Sequence, residues 1–149
     1  METIRNMFEH LNWANQRIHE TLQNMEGENK QVNNLFSHIL LAEHVWFTRL
    51  IGSDSSKIPI WAEVSLGACT EMVNQNNLNF KEFLSGLSIP ALDQIVSYRN
   101  SKGNEFNNSV RDIFTHVALH GQYHRGQINL LLRANEIEPV NVDFITFRR

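Results

Sequence analysis

Ile4, Phe8, Leu11, Asn15, Ile18, Leu22 and Met25 succeed one another in steps of four and three, the spacing that keeps side chains on one stripe of an α-helix. The first 25 residues are read as one amphipathic helix. Gly27, Asn29 and their polar neighbours break the pattern, which resumes at Val32, Leu35, Phe36, Ile39, Leu40, Phe47, Leu50 and Ile51 and stops at Gly52-Ser53-Asp54-Ser55-Ser56; this predicts a second helix from about 31 to 51. After Pro59, the residues Leu66, Cys69, Val73, Leu78, Phe80 and Phe83 predict a third helix over 66–83 with a less regular stripe. Between 89 and 108, Ile95, Val96, Tyr98 and Phe106 flank Ser101-Lys102-Gly103-Asn104, the signature of a small hairpin. Ser109 then stands as a cap before Val110, Ile113, Phe114, Val117, Ala118, Ile128, Leu131 and Leu132, a fourth helix over 109–134. The tail from Val140 to Phe147 alternates loosely and is read as an extended segment over the bundle or at a subunit contact. Four single-stripe helices bury their apolar faces most simply as an all-α four-helix bundle, with a β-rich excursion between the third and fourth.

Composition narrows the function classes. A chain of 149 residues fits one domain, 1–149, and 42% apolar against 19% charged residues is too hydrophobic for intrinsic disorder. Thirteen Lys plus Arg against sixteen Asp plus Glu leave a net charge of −3, which offers no source for neutralising phosphates, so no nucleic-acid partner is expected. The longest aliphatic runs, such as Ile39-Leu40-Leu41-Ala42, are far short of a bilayer span, and the N-terminal residues do not form an export signal. A soluble cytoplasmic protein without a membrane partner is the expectation. The lone Cys69 fits a reducing compartment and reads as a small core residue, so a metal would be held mainly by nitrogen and oxygen.

The chemistry concentrates in Thr115-His116-Val117-Ala118-Leu119-His120-Gly121-Gln122-Tyr123-His124-Arg125-Gly126-Gln127. Histidines four apart on a helix sit about 40° and about 6 Å apart, close enough to share an ion; His116 and His124, at about 80° and about 12 Å, are not. Geometry therefore leaves two pairs open, His116 with His120 or His120 with His124. A third ligand must come from a facing helix, and His38, which shares its face with Leu41, Ala42 and Val45, is the best candidate. His44 lies about 120° from His38, and His10 and His19 are poor candidates. Three imidazoles would leave a coordination position open, as catalytic metal sites do, whereas an inward histidine alone is more often a hydrogen-bonded core residue.

Trp13-Ala14-Asn15, His38-Ile39-Leu40-Leu41-Ala42-Glu43-His44-Val45-Trp46 and the string ending His124-Arg125-Gly126-Gln127 together resemble the DinB-like family of damage-inducible metal-binding bundles over nearly the whole chain. The resemblance implies an up-up-down-down four-helix bundle, often a homodimer, holding one divalent metal through His38, His120 and His124, with His116 a neighbour of the site. Zinc and nickel lead as candidates, since imidazole suits several metals. Related proteins in the wider superfamily are thiol-dependent transferases or isomerases, which implies a low-molecular-weight thiol as a further cofactor and a small-molecule substrate. The expected function is a metal-dependent enzyme of the thiol S-transferase type, or a hydrolase, in which a bound thiol or water attacks a small electrophile. No side chain is assigned as catalytic. The alternatives are a stress-related metal-binding or scaffold bundle without turnover, and a metal-free bundle whose histidines only hydrogen-bond.

The remaining residues carry structural expectations. Glu43, about 140° round the helix from His38, reads as a solvated carboxylate sooner than as a group orienting a ligand. Arg125 is expected to pair with an acid across the bundle, and Asn15, inside an apolar stripe, needs a partner if buried. Gly121 and Gly126 cost helix stability, so close approach of a neighbouring helix is their expected purpose. Trp46 and Trp61 read first as packing and second as walls of a substrate pocket.

Overall fold

A computed structural model describes residues 1–149. Four long helices carry the architecture: α1 (Glu2–Gln23), α2 (Lys30–Leu50), α3 (Leu66–Gly86) and α4 (Val110–Ala134). Between α3 and α4, a 3-10 turn at Pro90–Asp93 leads into an antiparallel hairpin of β1 (Ile95–Arg99) and β2 (Glu105–Ser109), registered Ile95 to Ser109 and Arg99 to Glu105. Gly103, at φ +80°, makes the hairpin turn, where a side chain would be strained.

The helices begin where polar side chains satisfy free backbone amides. Asn29 accepts from the N–H groups of Gln31 and Val32, Ser65 from Ala68 and Ser109 from Asp112. Ser109 both ends β2 and caps α4, so the hairpin feeds straight into the helix that carries the histidine string.

Two apolar clusters fill the interior. One joins Ala14, Ile18 and Leu22 to Val32, Phe36, Ile39 and Leu40, Cys69 and Val73, and Ile128 and Leu132. The other joins Phe8 and Leu11 to Leu50, Phe80 and Leu84, and Val110, Ile113, Phe114 and Val117. Early residues of α1 and α4 thus meet late residues of α2 and α3, so α1 and α4 run one way and α2 and α3 the other. Two helices run each way, as the resemblance implied, but the chain order is up, down, down, up rather than up, up, down, down. The physical reason lies in residues 24–29: that link spans at most about 25 Å and cannot carry the chain back along a helix of about 33 Å. Buried Cys69 packs in the first cluster, as expected of a small core residue.

Every long helix places one polar residue between the two clusters: Asn15, Glu43, Asn76 and Arg125, all buried. The tail is extended only as far as residue 143. Val140 and Val142 insert into the first cluster, and Asn129 holds Val140 through both its amide N–H and its carbonyl at 2.8 Å. The last segment, expected to stay extended, instead forms a helical turn, α5 (Phe144–Phe147). A helical spacing of three brings Phe144 and Phe147 onto His10, and Phe147 onto Trp13. No helix is long and apolar enough to cross a membrane.

Candidate metal centre

α2 packs more extensively on α4 than on any other element, and this seam brings the histidines together. His120 and His124 lie one turn apart on α4, and His38 faces them from α2. One ligand-capable nitrogen from each of the three lies within 4.8 Å of the other two, and the Nε2 atoms of His38 and His120 are 3.1 Å apart. Four ligands at bonds of 2.0–2.1 Å around a tetrahedral ion stand about 3.3–3.4 Å from one another, so this edge is already near coordination spacing. Of the two pairs that helix geometry left open, His120 with His124 is the one that meets His38; His116 stays outside the convergent group. His116 packs instead on Trp46, with ring centroids 5.0 Å apart.

The far nitrogens of two rings are held by carbonyl groups. His38 Nδ1 donates to the backbone oxygen of Ile60 at 2.9 Å, and His124 Nδ1 donates to Gln127 Oε1 at 2.7 Å. A proton on Nδ1 leaves the lone pair on Nε2, the atom turned to the shared point; this carbonyl-backed imidazole is the usual state of a metal-ligating histidine. Trp61 lies flat on His38, with centroids 3.7 Å apart and planes 2° apart, while remaining 60% exposed. Loop 51–65 therefore supplies both a backbone acceptor and an aromatic wall.

Burial disfavours the charged form of two of the three rings. Burial, reinforced by repulsion from His124, His38, His116 and Arg125, pushes His120 down to about 3. Burial also lowers His38, opposed by the Ile60 carbonyl and reinforced by His124. With His38 and His120 held in the unprotonated form, these rings offer lone pairs to a shared point, a donor set suited to a divalent cation. The three residues could hold a metal ion.

The other histidines do structural work. His10 Nε2 donates to the Val142 carbonyl at 2.8 Å, and His19 meets the Leu66 carbonyl and the Thr70 hydroxyl at 3.1 Å each. His44 does not join the convergent group.

Next to the site runs the polar layer, where several sequence expectations change. Glu43, expected to be solvated, is 2% exposed. Its Oε1 accepts from Asn15 Nδ2 at 2.8 Å and its Oε2 from Asn76 Nδ2 at 3.1 Å. Burial raises its carboxyl to about 7, against the opposing hydrogen bond of Asn15, the charge of Arg125 and the hydrogen bond of Asn76. Arg125 is wholly buried and does face an acid across the bundle, but with Asn15 between them: its Nη1 donates to Asn15 Oδ1 at 2.8 Å. Burial lowers the guanidinium to about 10, opposed by Glu43. Gly121 makes room for that guanidinium and not for a neighbouring helix, because a Cβ there would stand 3.0 Å from Arg125 Nη1. Gly126 has nothing within 4 Å of a Cβ, so no close approach explains it. Asn15 has the partners its burial demands.

Sequence reasoning missed Ile60 and underrated Trp61. A backbone carbonyl carries no residue-type signal, whereas an exposed Trp in a polar loop was a signal available to be used. No curated protein matches the chain. A family model described as the DinB family matches residues 1–149, and the chain belongs to the DinB family.

Proposed function

We propose that His38, His120 and His124 bind one divalent transition metal through their Nε2 atoms, and that the chain is a metal-dependent enzyme activating a low-molecular-weight thiol or water for attack on a small electrophile. The observation that carries this reading is the convergence of three imidazoles, two of them backed by carbonyl acceptors, on a point at the α2–α4 seam. A divalent cation lowers the pKa of a coordinated thiol or water and so supplies a nucleophile at neutral pH. The chain's own residues do the rest. His38 and His124 are oriented by Ile60 and Gln127, and exposed Trp61 and Tyr123 flank the rings on the side where a small substrate can approach. In this reading the protein works in the cytoplasm as a homodimer, with zinc or nickel as the ion.

A second reading, a metal-binding or scaffold bundle without turnover, is favoured by one observation. A cavity of about 550 Å³ lies between α1 and α3, away from the seam, and none of the three histidines lines it. Under that reading the ion contributes to stability alone. Screening metal-loaded protein against pairs of thiols and small electrophiles separates the two. The enzyme reading expects turnover that His38→Ala and His124→Ala abolish; metal-loaded protein inert to every pair while chelation lowers its melting temperature supports the second.

A further inference from the structure

Of the two buried arginines, Arg125 faces Glu43 through Asn15, whereas Arg49, near the C-terminal end of α2, has no acid opposite it. Arg49 is 7% exposed. Its Nε donates to Ser55 Oγ at 3.0 Å, and its guanidinium carbon lies 4.5 Å from the ring centres of both Trp46 and Tyr98, which meet edge to face at 5.1 Å. This corner of two rings stabilises the cation, but it does not replace the oxygen acceptors that the terminal nitrogens have in water. Those nitrogens form no hydrogen bond or ion pair with the protein. Unlike Asn12 Oδ1 and Arg125 Nε, which are buried without a partner, they are not closed off from the surface. Burial lowers the guanidinium and the Tyr98 phenol opposes this, so no carboxylate acts on the charge. A nearly buried cation with an unused fork of donors calls for an anion from outside the chain.

We infer that Arg49 anchors a carboxylate-binding site at the α2–α4 seam, its terminal nitrogens taking one carboxylate of a small molecule end-on through paired hydrogen bonds. The planar fork of a guanidinium matches the two oxygens of a carboxylate. The surface around it is open, for His116 is exposed and Trp46 half-buried. These two rings also lead back to the metal centre: His116 lies 5.0 Å from Trp46 and 5.5 Å from His120 between centroids. His38 and Arg49 are about three turns, or about 16 Å, apart on one face of α2. Charge selects a monoanion. A single guanidinium offsets one negative charge, and Asp54 and Glu105 stand with Ser55 and Tyr98 around the adjoining hollow, so a phosphate dianion would be repelled. The inference deepens the proposed function by giving its substrate a negatively charged end remote from the metal, and rests on that reading only for what the other end meets.

Benzoate and benzamide have nearly the same shape and differ in charge. Titrated into the full-length chain and followed by NMR, benzoate is expected to shift the Nε–H resonance of Arg49 and the indole resonance of Trp46. It should bind at least about tenfold more tightly than benzamide, the equivalent of one charge-assisted hydrogen bond. Inorganic phosphate at matched ionic strength should leave both resonances in place. Arg49→Met should erase the preference for benzoate while the melting curve shows a folded protein. Arg49→Lys keeps the charge but not the planar fork; it should weaken benzoate at least about tenfold, and it reads the same contact if Arg49→Met does not fold. Equal affinity for benzoate and benzamide, absence of benzoate binding, phosphate binding in its place, or benzoate binding unchanged in Arg49→Lys each overturns the proposal. The metal content of Arg49→Lys, expected to equal that of the unaltered chain, keeps this result separate from the metal reading.

Discussion

Glu43 is a carboxyl group whose preferred state in the fold differs from its state in the unfolded chain. Near neutral pH it titrates at about 7 when folded and near 4.5 when not. Between those values the folded chain binds a proton that the unfolded chain has released, so this group's contribution is full below pH 4.5 and is lost as pH rises to 7. The unfolding free energy of the unaltered protein relative to Glu43→Gln should therefore fall by up to about 3 kcal/mol across that window. Urea titrations at a series of pH values measure it, and a difference that stays flat would contradict the account. The glycines of α4 give a second comparison at this scale. Gly126→Ala meets open space and should stabilise by up to about 1 kcal/mol. Gly121→Ala forces the Arg125 guanidinium to yield and should fall short of that gain; identical shifts in melting temperature would mean that the guanidinium does not need the space.

At the scale of elements, the polar layer links all four long helices. Asn15 is its hinge, donating to Glu43 and accepting from Arg125. Asn15→Leu deprives two buried ionisable groups of their partner at once and should cost about 2–4 kcal/mol of stability; a loss within about 0.5 kcal/mol, the range of ordinary surface changes, would show that the layer is not a structural connection. Much of this level was legible in the residues. The steps of three and four located the long helices to within a few residues, the Ser109 cap fixed the start of α4, and Asn15 announced itself as a polar residue in an apolar stripe. Glu43 did not, because its azimuth was judged against one buried face. α2 packs on α3 as well as α4, and 14 of its 21 residues are buried, so a position about 140° from His38 is inside too. The terminal turn at Phe144–Phe147 was equally hidden, since its spacing gains meaning only when His10 and Trp13 lie beneath it.

For the whole molecule, the bundle holds two chemically distinct places: a histidine cluster at the α2–α4 seam, and a cavity between α1 and α3. Spacing and an inward position on a second helix, both local properties, narrowed the histidines to His38 and His120 with either His116 or His124, and the family resemblance chose His124. What orients them could not be read from the chain, because the Ile60 carbonyl and the Trp61 stack depend on the path of a loop fixed only by tertiary contact. The most direct measurement is elemental analysis of untagged protein at neutral pH, comparing the unaltered chain with His38→Ala, His120→Ala and His124→Ala. One divalent ion per unaltered chain, and its loss in each substituted chain, is the predicted result; equal trace metal in all four would contradict a shared site.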